Sequence, residues 1–151
     1  MREKLKVALK DAVKAQDKRR MSTLRLVQAA IKDRDIAGRT EGRDEGVSDE
    51  AILDILAKMI KQRRESAATY EQAGRLELAT QENEEIAIIQ DFLPAQLDEA
   101  ETQAACEAVV AELGAGGLKD MGRVMGELKK RYAGQMDFGK AGGFIKAKLS
   151  A

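Results

Sequence analysis

An all-α fold is what this sequence predicts, on three observations. Ala, Leu, Glu, Lys, Arg and Gln dominate a composition with 3% aromatic residues, and these are among the strongest helix formers. Apolar positions recur at three- and four-residue spacing, whereas no β-branched or aromatic run alternates with period two. The single proline, Pro94, then interrupts the helical pattern, because its ring removes a backbone donor and pushes Leu93 out of the helical region. The stretch Phe92-Leu93-Pro94-Ala95-Gln96-Leu97 therefore reads as a packed joint between two helical bodies. An N-terminal four-helix domain is expected over residues 1–93 and a small C-terminal three-helix domain over residues 94–151.

The first helix is expected from about Arg2 to Gln16, with Leu5, Leu9, Ala12, Val13 and Gln16 on one face and lysines over the rest. Asp17 is placed to cap a second helix, Lys18 to about Ala37, with Met21, Leu24, Val27, Gln28 and Ile31 inward. Gly38 is expected to stop it, and Arg39 to Gly46 to form a mobile loop. Ser48 caps the longest helix, with Asp49 and Glu50 in the first turn, where the helix dipole favours anions. Ala73-Gly74 ends or kinks it. The fourth helix turns Leu78, Ile86, Ile89 and Leu93 inward and Gln81-Glu82-Asn83-Glu84-Glu85 to water. Connected apolar faces on these four make a bundle-like or elongated domain.

Beyond the proline, Asp98 caps a helix from Glu99 to Leu113, with Glu101 in the capping-box position and Ala105, Cys106, Val109 and Val110 inward. Gly114-Ala115-Gly116-Gly117 is a loop, a second helix runs from about Lys119 to Tyr132, and a third, capped by Asp137, from Phe138 to Leu149. Three such helices are close to the smallest self-sufficient core.

Absences narrow the chemistry. With no histidine, catalytic triads, His-based metal sites and imidazole bases are excluded. The lone Cys106 stands at an apolar helical position and reads as a core residue. The N-terminus leads into an amphipathic helix without an apolar signal core, and no run approaches a membrane span; a cytoplasmic protein is expected. Catalytic residues, metal and cofactor are all expected to be absent.

Net charge is zero, from 26 basic and 26 acidic residues, but it is unevenly spread. Residues 1–40 carry 12 basic against 5 acidic, residues 41–100 carry 6 against 15, and residues 101–151 carry 8 against 6. Local patches decide whether a polyanion is bound, so the ends of the chain qualify and the middle does not. Basic clusters fall at Lys18-Arg19-Arg20 with Arg25, at Lys61, Arg63 and Arg64, and at Lys119, Arg123, Lys129, Lys130 and Arg131. No recognition helix, stacking platform or zinc finger accompanies them, so DNA is not an expected partner.

Two motifs mislead. Gly134 to Lys140 matches phosphate-loop spacing, but Ala141 replaces the magnesium-binding hydroxyl and no strand precedes it. Asp137-Phe138-Gly139 imitates a kinase triplet without kinase context. Gly122 and Gly126, four apart inside a helix, each cost nearly 1 kcal/mol relative to alanine. Close packing within the small domain is the leading explanation for them, and a docking face for another molecule is the other.

A series of spaced blocks carries a family resemblance. Ser22-Thr23-Leu24-Arg25, Lys61-Gln62-Arg63, Ala73-Gly74-Arg75, Glu82 with Glu85-Ile86, Phe92-Leu93-Pro94 and Gln96-Leu97 come first. Lys119-Asp120-Met121-Gly122 with Val124-Met125, Gly134 with Asp137, and Lys146 to Leu149 follow. In this order they resemble the GatB/YqeY family over essentially the whole chain, in its stand-alone form. The resemblance implies a C-terminal domain similar to the helical tail of the GatB component of the glutamine-dependent aspartyl/glutamyl-tRNA amidotransferase, a tail that helps to hold tRNA. A similar tail is appended to some glutaminyl-tRNA synthetases. It also implies the activity class of a carbon–nitrogen ligase with glutamine as amido-N-donor, although this chain lacks the cradle, amidase residues and ATP site for amidation alone. Gln135 departs from the family, which often has arginine there.

The resemblance thus implies a tRNA-binding accessory module whose partners are tRNA and an aminoacyl-tRNA synthetase or amidotransferase component. The candidate RNA-binding residues are Lys119, Arg123, Lys129, Lys130, Arg131 and Lys140, aided by Arg19, Arg20 and Arg25. The rival is a helical protein–protein adaptor without RNA binding, docking through Gly122 and Gly126 or through the acidic middle of the chain.

Overall fold

The computed structural model describes residues 1–150 and shows helices and turns with no strand among them. In chain order these are α1 (Arg2–Lys14), α2 (Lys18–Thr40), α3 (Asp49–Gln72), α4 (Leu76–Gln90), α5 (Glu99–Leu113), a 3-10 turn (Leu118–Asp120), α6 (Met121–Arg131) and α7 (Phe138–Ser150). They form two compact units that part between Leu93 and Pro94. Among the described residues no helix is long and apolar enough to cross a membrane.

The first unit closes around Leu5, Leu24, Val27, Ile52, Leu56 and Ile89, each essentially inaccessible to water. α3 packs along α4, α1 along α2, and α2 also meets α4. The caps form where short polar side chains stand ahead of the apolar periodicity. Asp17 accepts from Arg20 N–H at 3.1 Å and Ser48 from Ala51 N–H at 3.2 Å, each satisfying a donor that the first turn leaves open.

Three local expectations are corrected. Gly38 does not stop α2, which runs on to Thr40 with Gly38 buried inside it. The reversal comes at Gly42, where φ is +85°. The segment that follows is pinned at its far end by a polar clasp. Arg2 donates to both oxygens of Asp35, at 3.0 and 2.7 Å, and to the Val47 carbonyl at 3.2 Å, while Val47 N–H donates to Asp35 at 2.8 Å. Gly46 is required here: φ is +84°, and a Cβ would lie 2.9 Å from the Arg2 guanidinium. Finally, Glu85 does not face water. It is 9% exposed on the inner side of α4.

The second unit packs Val109, Val124, Leu128, Ala141 and Ile145 into its own core. Cys106 belongs to that core, 2% exposed with its thiol 3.9 Å from the Ala141 carbonyl, and burial pushes its pKa up. A buried, protonated thiol is unreactive. Asp98 caps α5 by accepting from Glu101 N–H at 2.7 Å. Asp137 caps α7 by accepting from Gly139 N–H at 2.9 Å, so the stretch resembling a phosphate loop is a turn and a helix start. The joint residues have partners of their own. Phe92 is buried in the first core, whereas Leu97 packs on the second and donates its N–H to the Gln135 carbonyl at 2.8 Å. Gln96 donates its side-chain amide to the Gly134 and Pro94 carbonyls.

Candidate functional site

Most candidate cations lie on the 3-10 turn, α6 and α7, and the local fold explains how they are presented. Gly114 ends α5 in the left-handed region, at φ +62°. The chain then turns so that Gly116 N–H donates to Asp120 at 3.0 Å. That bond, with Arg123 and Lys119 nearby, holds the Asp120 carboxyl below the usual carboxylate range. α6 starts there, burying Val124 and Leu128 and leaving Gly122, Arg123, Gly126, Lys129 and Lys130 in water. Gly122, Gly126 and Lys129 follow at i, i+4 and i+7, which places them along one outer strip with Lys130 beside it.

The two glycines are not packing glycines. Nothing lies within 4 Å of a Cβ added at either one, so close packing within the domain does not account for them. The glycine at the helix contact is Gly142 of α7, where an added Cβ would sit 3.7 Å from Met121 and 3.9 Å from Met125. Gly122 and Gly126 instead open a bare length of α6 backbone to solvent, flanked by lysines.

Charge separates within this unit. α5 carries four acidic residues and no basic one, whereas residues 118–150 carry eight basic and three acidic. Lys119, Lys129, Lys130 and Lys140 are exposed, and no ion pair within 4 Å engages Lys129 or Lys130 among the described residues. Arg123 leans back on Asp120 at 3.3 Å. Arg131 is engaged twice, 2.7 Å from Glu112 of α5 and 2.8 Å from Glu127. It spans from α6 to α5 at the surface, and its guanidinium holds the Glu112 carboxyl below the usual range.

The first-unit candidates divide. Arg19 is held by Glu84 at 3.3 Å and Glu85 at 3.8 Å. Arg20 reaches Asp91 at 3.1 Å and lies over the Phe92 ring, which Lys4 also approaches. Arg25 is exposed, and no ion pair engages it among the described residues. Glu85 also receives Arg63 at 3.0 Å, with both side chains 12% exposed, so one carboxylate of α4 clasps α2 and α3. Burial and the neighbouring Glu85 charge push Glu82 above the usual carboxylate range. The sequence reading missed both this clasp and that of Arg2 with Asp35. One signal for the first was available: Glu82, Glu85, Ile86 and Ile89 keep three-four spacing, which sets an acid in the apolar stripe.

No three His, Cys, Asp or Glu side chains gather as a metal site among the described residues. A strip of cations beside bare backbone, without a nucleophile, is suited to gripping phosphates.

The family model described as "Yqey-like protein" matches residues 2–149. "Altered inheritance of mitochondria protein 41, mitochondrial" of Eremothecium gossypii is 35% identical over 91 residues, 60% of this chain and 48% of that protein. Its namesake in Kluyveromyces lactis is 35% identical over 88 residues, covering 58% and 45%. That of Lachancea thermotolerans is 34% identical over 112 residues, covering 72% and 57%. The chain spans about half the length of the curated relatives it matches. These relatives are named as mitochondrial proteins, which overturns the cytoplasmic expectation. An apolar leader is a mark of secreted proteins and carries no information that separates cytoplasm from mitochondrion.

Proposed function

We propose, for a chain that belongs to the Yqey-like protein family by its match over residues 2–149, that it is a tRNA-binding accessory module. It holds RNA for an amidotransferase or synthetase component and performs no amide chemistry itself. The observation that supports this is the outer strip of α6. Gly122 and Gly126 leave the helix backbone open, Lys129 and Lys130 stand beside it without ion pairs among the described residues, and the acidic residues of the unit are concentrated on α5. A phosphate backbone can approach a helix closely only where no side chains intervene, and it is retained by unpaired cations. Such binding releases counterions and falls steeply with salt.

Titration with bulk tRNA at about 50 and about 200 mM salt tests this. Binding is expected at the lower salt, with a marked loss at the higher. Lys129→Glu with Lys130→Glu is expected to reduce the salt slope by about one for each phosphate left without its lysine. Binding absent at low salt would replace the RNA reading with the protein adaptor, and binding unmoved by that pair would remove the α6 strip as its site. Turnover in a glutamine- and ATP-dependent amidation assay by the purified chain would overturn the accessory role.

A further inference from the structure

We propose that the outer face of the α1–α2 pair is a second phosphate-contact surface for the same RNA, an inference that rests on the tRNA reading above. The first unit pairs some of its cations with carboxylates and leaves others, those of this face among them, exposed. Arg2, Arg19, Arg20, Arg34 and Arg63 each lie within 4 Å of a carboxylate on another part of the unit, Arg34 with Asp54 at 3.9 Å. Lys10, Lys14, Arg25 and Lys32 are all exposed, and no ion pair engages them among the described residues. Lys6, Lys10 and Lys14 advance along α1 in four-residue steps of about 6 Å. Arg25 and Lys32 lie seven residues apart on α2, which places them on one side of it.

One residue of each row, Lys6 and Lys32, lines a cleft of about 300 Å³ together with Gln28 and the Arg2–Asp35 pair, over Leu5 and Ile31. Of the acids here, Asp35 is occupied by Arg2 and Val47 and Glu3 lies 3.5 Å from Lys6, whereas the exposed Asp11 and Asp33, next to Lys10 and Lys32 in sequence, offset part of the positive charge. Two rows of exposed cations, of which Lys6 is paired with Glu3 and the others have no ion pair among the described residues, with an amide between them, form a surface for a phosphate backbone.

An anionic membrane is the competing polyanion. The exposed apolar residues here are Val7, Val13, Leu26 and Ile36. On an ideal helix Val7 and Val13 point about 120° apart, and Leu26 and Ile36 about 80° apart. They make no continuous strip to enter a bilayer, unlike an interfacial helix.

The test compares full-length chains carrying Lys10→Glu with Lys32→Glu, or Lys129→Glu with Lys130→Glu, in tRNA titrations across salt. Lys10→Gln with Lys32→Gln is the milder version, and circular dichroism checks folding. The α1–α2 pair of substitutions is expected to lower the salt slope by about two, one for each phosphate no longer neutralised. Binding that falls with Lys129 and Lys130 but is unchanged by Lys10 and Lys32 would overturn this surface and leave the proposed function standing. Binding that responds only to Lys10 and Lys32 would uphold this surface and remove the α6 strip. No binding by the unaltered chain would overturn both. Co-sedimentation with phosphatidylserine vesicles that tRNA fails to displace would assign the face to membrane instead.

Discussion

The two units use arginine in opposite ways. In the first, Arg63 is 12% exposed, and with Arg19 it converges on Glu85, so these guanidinium groups hold three helices together. In the second, Arg131 bridges two carboxylates at the surface while Lys129 and Lys130 beside it have no ion pair among the described residues. Basic runs that look alike in sequence thus do different things. What separates them is whether a carboxylate from another helix faces the cation, and only the unmatched ones are left for a ligand.

Glu85→Ala tests the structural half of this contrast and carries the largest expected effect. It leaves the Arg63 guanidinium buried without its carboxylate, which costs about 3–5 kcal/mol and is read as a lower denaturant midpoint. A loss below about 1 kcal/mol would place the clasp with ordinary exposed pairs.

The second clasp sets a pH dependence. Arg2 and the Val47 amide lower Asp35 from 3.8 to about 2. The fold therefore favours the ionised form. Its contribution is complete above the unfolded value and is lost as pH falls from about 4 towards about 2. Asp35→Asn is expected to flatten that part of the acid titration. Glu82, raised by burial and by Glu85, acts in the opposite sense and favours the fold as it takes up its proton.

Gly122→Ala with Gly126→Ala addresses the outward-facing half. With nothing within 4 Å of either added Cβ, each substitution is expected to stabilise the helix by up to about 1 kcal/mol. The same methyl groups cover the bare backbone, so tRNA affinity is expected to fall while stability rises. Unchanged affinity would show that RNA does not touch this strip. Arg131→Gln should have the smallest effect, with no measurable shift in the unfolding midpoint because its partners are solvent-exposed. Its signature is local: the Glu112 carboxyl should return upward to its usual range in an NMR titration.

Much of the architecture was legible because it is written locally. Asp17, Ser48 and Asp98 each stand just ahead of a helical period, and each accepts a first-turn N–H at the expected end. Gly38 misled because a helix tolerates an interior glycine, and the chain turns only at Gly42, which takes positive φ. Glu85 was harder to read, because its burial depends on arginines 22 and 66 residues away in sequence. Gly122 and Gly126 were placed correctly in a helix but assigned the wrong surroundings. Periodicity gives a face, whereas the neighbours of that face come from elements elsewhere in the chain.

The hydrogen bonds that Gln96 and Leu97 make to the Gly134–Gln135 turn have a consequence for modularity. The residues leading into α5 are fastened to the helices they introduce, so a transplant beginning at Pro94 brings its own mounting bracket. One beginning at Asp98 leaves that bracket behind.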